Sequence, residues 1–331
     1  MSQNDTHLSE SISGNIKIAV LLPCYNEANT IGEVVHGFQQ SLPGAEIYVY
    51  DNNSTDNTVE TALLAGAIVR TERLQGKGNV VRRMFADIDA DVYVMADGDD
   101  TYEAAAAPRL VEKLVSENLD LVNGKRVTPE ELAAAYRPGH KFGNVLLTSM
   151  VAMFFGSGIQ DMLSGYKVFS RRFVKSFPSL SSGFEIETEL TVHALELRMP
   201  IAEEDTAYGE RPEGSESKLS TFGDGFRILK KIAILIKDER PLQFFSSIFA
   251  ILLIVALGLS IPLVQTYLET GLVPRLPTAV LITGMTLLSF LSLACGLILE
   301  TVTRGRQELK RLQYLSIPNN LAILGEQPEE D

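Results

Sequence analysis

The sequence predicts an α/β domain with a mostly parallel sheet, followed by two membrane-spanning helices. Through the N-terminal half, apolar runs of strand length alternate with apolar-periodic stretches of helix length, a pattern typical of βαβ units. Near the C-terminus, two uncharged apolar runs lie between Arg240 and Glu269 and between Arg275 and Glu300. Each run exceeds the roughly 20 residues that a bilayer-spanning helix needs. The chain is therefore predicted to be anchored in a membrane, with a catalytic or binding domain before the anchor.

The alternation begins with a short apolar strand, Ile16–Leu22, which ends at Pro23. Because strands joined through helices run parallel, their carboxyl ends meet at one edge of the sheet, where open α/β sheets bind ligands. After the first strand, the predicted elements are helix Ile31–Phe38, strand Glu46–Tyr50, helix Thr58–Ala65, strand Ala67–Val69, helix Gly78–Ile88, strand Asp91–Ala96, helix Pro108–Val115 and strand Leu119–Val122.

Composition and charge divide the chain into five segments. Residues 1–14 are polar and lack the apolar core and cleavage site of a signal peptide, so we expect a disordered lead-in. Residues 219–240 have an apolar stripe opposite a basic face, which is typical of a helix in the membrane interface, although the stripe could instead pack on the soluble domain. The segments are 1–14 (lead-in), 15–218 (α/β domain), 219–240 (amphipathic juxtamembrane helix), 241–300 (two-helix transmembrane hairpin) and 301–331 (C-terminal tail).

The charges beside the apolar runs predict how these runs cross the membrane. Eight Lys and Arg residues flank the outer ends of the runs, whereas the loop between them holds only Arg275. Cytoplasmic loops collect the Lys/Arg excess, so both termini and the α/β domain are predicted to be cytoplasmic. Small residues in the runs, Gly258, Gly284 and Gly296, could pack against further copies and give a homo-oligomer. The eight flanking residues are Lys230, Lys231, Lys237, Arg240, Arg304, Arg306, Lys310 and Arg311.

Composition also excludes several classes of protein. The formal net charge of −13 argues against a nucleic-acid partner, because phosphate-backbone binding depends on Lys and Arg. The two cysteines, Cys24 and Cys295, lie in the α/β domain and in the second apolar run, so a disulfide framework is excluded. None of the four histidines stands at ligand spacing from another histidine or a cysteine, which leaves a zinc site with little support.

The acidic residues after the strand Asp91–Ala96 are the strongest functional signal. Asp97 and Asp99 flank Gly98, so two carboxylates at a strand end can bring several oxygens to one point. Mg²⁺ and Mn²⁺ favour oxygen ligands, and Mg²⁺ sites commonly combine one or two carboxylates with substrate phosphates. A nucleotide diphosphate would complete such a site. Taken alone, however, an acidic pair of this kind is more often a solvated turn.

Two further segments adjoin the predicted sheet edge. Asp51–Asp56 follows the second strand, and its side chains favour a turn or a helix N-cap, although a carboxylate there could also accept hydrogen bonds from a nucleobase. Gly76–Gly78 opens a helix, where backbone N–H groups favour an anion. This segment lacks the spacing and the hydroxyl residue of a Walker A loop, so a P-loop NTPase is not predicted.

In the order and combination of Pro23–Glu27, Asp51–Asp56, Gly76–Gly78 and Asp97–Asp99, the chain resembles family 2 glycosyltransferases of the GT-A fold. The Asp161–Lys167 segment, and Arg211 with Ser217–Leu219, resemble motifs of the polyprenyl-phosphate branch, and so does the pair of C-terminal helices. This branch includes dolichyl-phosphate mannosyltransferases and bacterial undecaprenyl-phosphate glucosyltransferases. The chain departs from that branch by an insertion of Ser215-Glu216 before its Ser-Lys-Leu element. The motifs are Pro23-Cys24-Tyr25-Asn26-Glu27, Asp51-Asn52-Asn53-Ser54-Thr55-Asp56, Gly76-Lys77-Gly78, Asp97-Gly98-Asp99, Asp161-Met162-Leu163-Ser164-Gly165-Tyr166-Lys167 and Arg211 with Ser217-Lys218-Leu219.

The resemblance implies inverting transfer of a hexose from a nucleotide sugar to the phosphate of a membrane polyprenol, at the bacterial inner membrane. It implies that Asp97 and Asp99 hold Mg²⁺ or Mn²⁺. The nucleophile is an already ionised phosphate, so a strong general base is not required. The implied nucleotide contacts are Pro23, Tyr25, Asn26, Glu27, Asp51, Lys77 and Asp97, and the implied acceptor-phosphate contacts are Arg211, Ser217 and Lys218.

The role of Asp161 and the identity of the substrates stay open. Asp161 could orient or polarise the acceptor as a catalytic residue, or it could cap the turn that follows it. The resemblance favours UDP-glucose as donor, but a carboxylate such as Asp51 could pair with uracil or guanine. The alternatives are a GDP-mannose-dependent polyprenyl-phosphate mannosyltransferase and a non-catalytic, membrane-tethered nucleotide-sugar-binding protein. A processive polysaccharide synthase is disfavoured, because such enzymes carry a Gln-x-x-Arg-Trp element and this chain has no Trp.

Overall fold

The structure is a computed structural model, and it describes residues 16–127, 148–156, 158–209 and 221–318. The chain divides into two compact units. One takes in the residues up to Leu229 together with those from Arg311 onward, and the other runs from Lys230 to Lys310. The first unit contains the sheet and the second contains most of the apolar C-terminal sequence.

A seven-stranded sheet forms the centre of the first unit, in the order β3-β2-β1-β4-β6-β5-β7 among the described residues. β1 pairs in parallel with β2 and β4, and β2 pairs in parallel with β3. β6 is antiparallel to both of its neighbours. The predicted α/β domain with a mostly parallel sheet is therefore confirmed. The strands are β1 Ile18–Cys24, β2 Glu46–Asp51, β3 Ile68–Thr71, β4 Val92–Met95, β5 Leu121–Val127, β6 Lys167–Ser170 and β7 Ile201–Ala207.

Helices cover both faces of the sheet. In order, they are α1 Ile31–Ser41, α2 Thr58–Leu64, α3 Lys77–Asp87, α4 Ala107–Ser116, α5 148–155, α6 Arg171–Ser176 and α7 Ile186–Leu197. Because side chains alternate along a strand, Val20 and Leu22 of β1 pack into a core with α1, α2 and α4, whereas Ala19 and Leu21 pack into a second core with α3, α6 and α7. The sheet is thus buried on both sides, which leaves its carboxyl edge for a ligand.

Within the first unit, the described residues from Arg311 onward contact the rest of that unit through Tyr314. Its hydroxyl donates a hydrogen bond to Asp120 Oδ2 at 2.6 Å, and its ring lies 4.4 Å from the Arg172 guanidinium. Asp120 is buried and also accepts hydrogen bonds from Ser170 Oγ at 2.6 Å and from the Arg172 guanidinium at 3.0 Å. This cluster sits where β5 begins and β6 ends, at the edge of the sheet opposite the carboxyl ends of the parallel strands.

Three helices complete the described chain: α8 Thr221–Glu239, α9 Pro241–Thr270 and α10 Leu276–Leu315. By length and composition, α9 and α10 could cross a membrane. Only 6% and 11% of their apolar windows are buried, so neither resembles the core helix of a soluble protein. Within the second unit, the two helices pack through Phe249 and Phe290, whose ring centroids lie 5.4 Å apart, and through Gly296, where a Cβ would lie 3.0 Å from Phe245 Cβ.

Candidate active site

Three neighbouring parallel strands bring the predicted site segments to one edge of the sheet. β1, β2 and β4 end at Cys24, Asp51 and Met95, side by side in the sheet. Hydrogen bonds then join the loops that follow them. The Asn26 amide donates to Ser54 Oγ at 2.9 Å, and Thr30 Oγ1 donates to the Gly98 carbonyl at 2.7 Å.

The residues predicted to contact the nucleotide belong to these joined loops. Pro23 lies in β1 opposite Tyr50, and Tyr25 is 36% exposed just beyond the strand. Asn26 has a positive φ of 53°, and its side-chain oxygen accepts the Thr55 amide at 2.7 Å. Glu27 and Asp51 are buried, and the Asp51 carboxylate accepts the Ser54 amide at 3.2 Å. Their contacts to a nucleotide remain predictions.

The Asp97-Gly98-Asp99 segment follows β4 and is fixed by close packing. A Cβ on Gly98 would lie 2.5 Å from Cys24 Sγ, so the position between the two carboxylates has no room for a larger side chain. Asp99 is 3% exposed and accepts a 2.6 Å hydrogen bond from Thr101 Oγ1. The Asp97 side chain, at 31%, is considerably more exposed.

Lys77 opens α3 and joins Asp97 to a second carboxylate that the sequence did not indicate. Its ammonium nitrogen lies 2.5 Å from Asp97 Oδ1 and 2.6 Å from Glu187 Oε1, at the start of α7. Burial lowers the pKa of Lys77, but the charges of Asp97 and Glu187 outweigh it and raise that pKa above its ordinary value. Burial raises the pKa of Glu187, against the effect of Lys77. Lys77 is therefore charged at neutral pH.

The two glycines beside Lys77 allow a close approach of the chain. A Cβ on Gly76 would collide with the Ser182 carbonyl oxygen, and one on Gly78 with that of Ser181. The Gly76 amide donates to Asn52 Oδ1 at 2.7 Å, and the Asn79 amide donates to Ser182 O at 3.3 Å. The Gly76 and Asn79 amides are therefore engaged within the protein, and the anion at this helix start stays a prediction.

The Asp161–Lys167 segment also reaches Asp97. A Cβ on Gly165 would lie 2.6 Å from Asp97 Oδ2, and the Gly165 amide donates to the Tyr102 hydroxyl at 2.8 Å. Ser164 is fully buried and its hydroxyl donates to the Gly124 carbonyl of β5 at 2.5 Å. The segment therefore forms one wall beside the paired carboxylates.

Asp161 is held by Arg126 in a two-pronged ion pair. The Arg126 guanidinium donates to both carboxylate oxygens at 2.7 Å, and the Arg126 amide donates to Oδ2 at 3.1 Å. Asp161 is 6% exposed. These contacts hold the Asp161 carboxylate in one orientation beside Arg126, and its role in the reaction stays a prediction.

Behind this wall lies a buried lysine. Lys167 is fully buried and donates to Asn123 Oδ1 at 2.5 Å. Burial lowers its pKa to about 8, although Asp161, Glu187 and Glu203 act in the opposite direction. Lys167 lies in one of the motifs of the sequence, whereas Asn123, Arg126, Glu187 and Glu203 lie outside those motifs and were not predicted to belong to the site. The available signal at Asn123 is a polar residue directly after the buried apolar pair Leu121-Val122.

Three predicted acceptor residues, Arg211, Ser217 and Lys218, lie outside the described residues. Within residues 16–127, 148–156, 158–209 and 221–318, no three His, Cys, Asp or Glu side chains cluster as a metal site. Asp97 and Asp99 would therefore supply at most part of a coordination shell. That donor set fits Mg²⁺ or Mn²⁺ bound with substrate phosphates, because such ions commonly take one or two protein carboxylates.

A mostly parallel sheet with paired carboxylates at its carboxyl edge is typical of α/β proteins, a class that binds ligands where the strands end. Residues 19–177 match the family described as Glycosyl transferase family 2. The chain is 31% identical over 305 residues to Glycosyltransferase AglJ of Haloferax volcanii, across 90% of this chain and 98% of that protein. It is 28% identical over 224 residues to Dolichyl-phosphate hexose transferase of the same organism, across 67% and 95%.

Among solved structures, the fold is similar to glucosyl-3-phosphoglycerate synthase from Mycobacterium tuberculosis in complex with Mn²⁺, uridine diphosphate and glucosyl-3-phosphoglycerate. The TM-score is 0.57 at 24% identity, over 70% of this chain and 82% of that one. The protein therefore has the GT-A fold, and it belongs to glycosyltransferase family 2.

Proposed function

We propose that this protein is an inverting, metal-dependent hexosyltransferase that moves a sugar from a nucleotide sugar to the phosphate of a membrane polyprenol. The proposed donor is UDP-glucose and the proposed acceptor is undecaprenyl phosphate. The product would be a lipid-phosphate sugar donor for cell-envelope glycosylation. The observation that carries the proposal is that the Asp51 loop and the Asp97–Asp99 segment follow the two strands that flank β1, at one edge of the sheet, in a chain with two long apolar helices.

Asp97 and Asp99 are the residues that would hold Mg²⁺ or Mn²⁺, and this cation would neutralise the charge that develops on the departing diphosphate. Asp51 and the loop from Asn26 would bind the nucleoside. Asp161, held on Arg126, would keep one wall of the site in place for the acceptor. The acceptor phosphate is ionised at neutral pH, so transfer needs no strong base from the protein.

The acceptor explains the apolar helices. A polyprenyl phosphate keeps its tail in the bilayer, so its headgroup is accessible only at the membrane surface, and a tethered enzyme meets it at a high effective concentration. The dolichyl-phosphate hexose transferase relative supports an acceptor of this class. We place the protein in the bacterial inner membrane with two spans, and with the catalytic domain and both termini in the cytoplasm.

The proposal is tested with the full chain in proteoliposomes, supplied with undecaprenyl phosphate, Mn²⁺ and radiolabelled UDP-glucose, UDP-galactose or GDP-mannose. We expect label from UDP-glucose to enter the lipid fraction, and no labelled lipid without the acceptor. Preference for GDP-mannose would establish the mannosyltransferase alternative. Nucleotide-sugar binding without transfer from any donor would establish the non-catalytic alternative.

A further inference from the structure

Lys77 is a buried cation placed between one buried and one partly exposed carboxylate. Its side chain is 8% exposed, that of Glu187 is 6% exposed and that of Asp97 is 31% exposed. The Lys77–Glu187 pair is therefore enclosed, whereas Asp97 is the member of the group that faces the site. Any cation that binds Asp97 must compete with the Lys77 ammonium for the same carboxylate.

Glu187 has unused hydrogen-bonding capacity for the displaced ammonium. Its second oxygen, Oε2, is buried and has no hydrogen-bond partner among the described residues. A buried carboxylate oxygen without a partner is costly, and an additional contact with Lys77 would remove that cost. Glu187 Oε2 is therefore a second acceptor available to the Lys77 ammonium.

We propose that Lys77 and Glu187 are positioning residues that set the affinity of Asp97 for its divalent cation. Lys77 neutralises Asp97 before the cation binds, and Glu187 takes up Lys77 when the cation arrives. The buried charge is therefore nearly balanced both before and after the cation binds. The inference rests on the proposed function only in assuming that Asp97 holds a divalent cation.

Two neutral substitutions should change the Kd for Mn²⁺ in opposite directions. In Glu187→Gln, Lys77 loses its alternative partner and stays on Asp97, so we expect the Kd for Mn²⁺ to rise about tenfold. In Lys77→Gln, the competitor is gone and Asp97 lies near the uncompensated charge of Glu187, so we expect the Kd to fall about tenfold. If both residues only supported the fold, both substitutions would weaken binding.

The measurement is a Mn²⁺ titration of the full chain in detergent, followed by electron paramagnetic resonance without nucleotide. Lys77→Arg keeps the charge of the competitor and serves as the matched control, so its Kd should not fall as that of Lys77→Gln does. Weaker binding in both single variants, or an unchanged Kd in Glu187→Gln, would overturn the inference. If Lys77→Gln fails to fold, the double variant Lys77→Gln/Glu187→Gln decides, because its Kd must equal or fall below that of wild type.

Asp97→Asn separates this inference from the proposed function. If wild type binds Mn²⁺ and Asp97→Asn does not, the metal site stands and the variants test Lys77 and Glu187 alone. If Asp97→Asn binds Mn²⁺ like wild type, the metal role of Asp97 fails, and the inference fails with it.

Discussion

At the residue scale, the two carboxylates after β4 differ in their surroundings. Asp99 is nearly enclosed and accepts a hydrogen bond from Thr101, whereas Asp97 is partly exposed and lies against Lys77 and the Gly165 backbone. The adjoining Asp100 is exposed. The four consecutive positions 97–100 thus contain one partly exposed carboxylate, one buried carboxylate and one exposed carboxylate, so their roles can be separated experimentally.

We expect Asp97→Asn and Asp99→Asn each to lower turnover by about 10²-fold or more, because the charge on the departing diphosphate would be left without its cation. Initial rates of label transfer to lipid, with EDTA and after Mn²⁺ or Mg²⁺ is restored, provide the measurement. Asp100→Asn is the control, since Asn tolerates the positive φ of 58° there, and it should retain near-normal rates. Activity that survives chelation would contradict the metal role.

At the scale of elements, the site depends on segments that approach each other through glycine. A methyl group on Gly165 would meet the Asp97 carboxylate at 2.6 Å, which is closer than packing allows. The loop between α5 and β6 therefore limits where the Asp97 side chain can lie. This constraint is separate from the chemistry of the carboxylate itself.

The corresponding prediction is that Gly165→Ala displaces Asp97 and lowers turnover by about tenfold or more, while UDP still binds in the absence of metal. Calorimetric titration with UDP and transfer assays on the same preparation measure the two effects. Gly209→Ala is a matched control near the site, because its added methyl would lie 3.9 Å from the nearest atom, Thr101 O. Equal rates in Gly165→Ala and Gly209→Ala would show that this contact does not position Asp97.

The sequence predicted elements whose burial follows from local composition. β1, β2 and β4 are apolar runs closed by polar turns, so both the strands and the ligand edge could be predicted. β7 is an edge strand with the sequence IAEEDTA. Its three acidic residues are consecutive, so the sequence lacks the apolar–polar alternation that would indicate a strand. The Lys77–Glu187 pair joins residues far apart in the chain, and nothing local in the sequence specifies such a partner.

At the scale of the whole molecule, the proposed topology can be tested by labelling introduced thiols in sealed, right-side-out cells. Cysteines at Ser2 and Gln327 should be shielded and one at Thr270 should react, because the Lys/Arg excess lies on the side of the termini. The background for this experiment is a chain in which Cys24 and Cys295 are replaced by Ser. Reactive termini with a protected Thr270 position would invert the topology and remove the catalytic domain from its nucleotide sugar.

Tyr314 is expected to stabilise the catalytic unit. In Tyr314→Phe, the buried Asp120 loses one hydrogen bond, which typically costs about 1–3 kcal/mol, so we expect Tm to fall by roughly 2–10 °C. Tyr267→Phe, at an exposed position on α9, is the control and should leave Tm unchanged. Thermal melts of the three proteins in the same detergent provide the comparison, and identical values for both variants would contradict a stabilising role.

Tyr314 also sets the order in which the catalytic unit can be completed. During synthesis the N-terminal strands and helices emerge first, but Tyr314 follows both apolar helices in the chain. Both apolar helices must therefore be synthesised before Asp120 can accept the hydrogen bond from Tyr314. A catalytic domain released by a stop codon after Lys237 would keep every nucleotide-binding residue proposed here, yet it would emerge without the hydrogen bond between Tyr314 and Asp120.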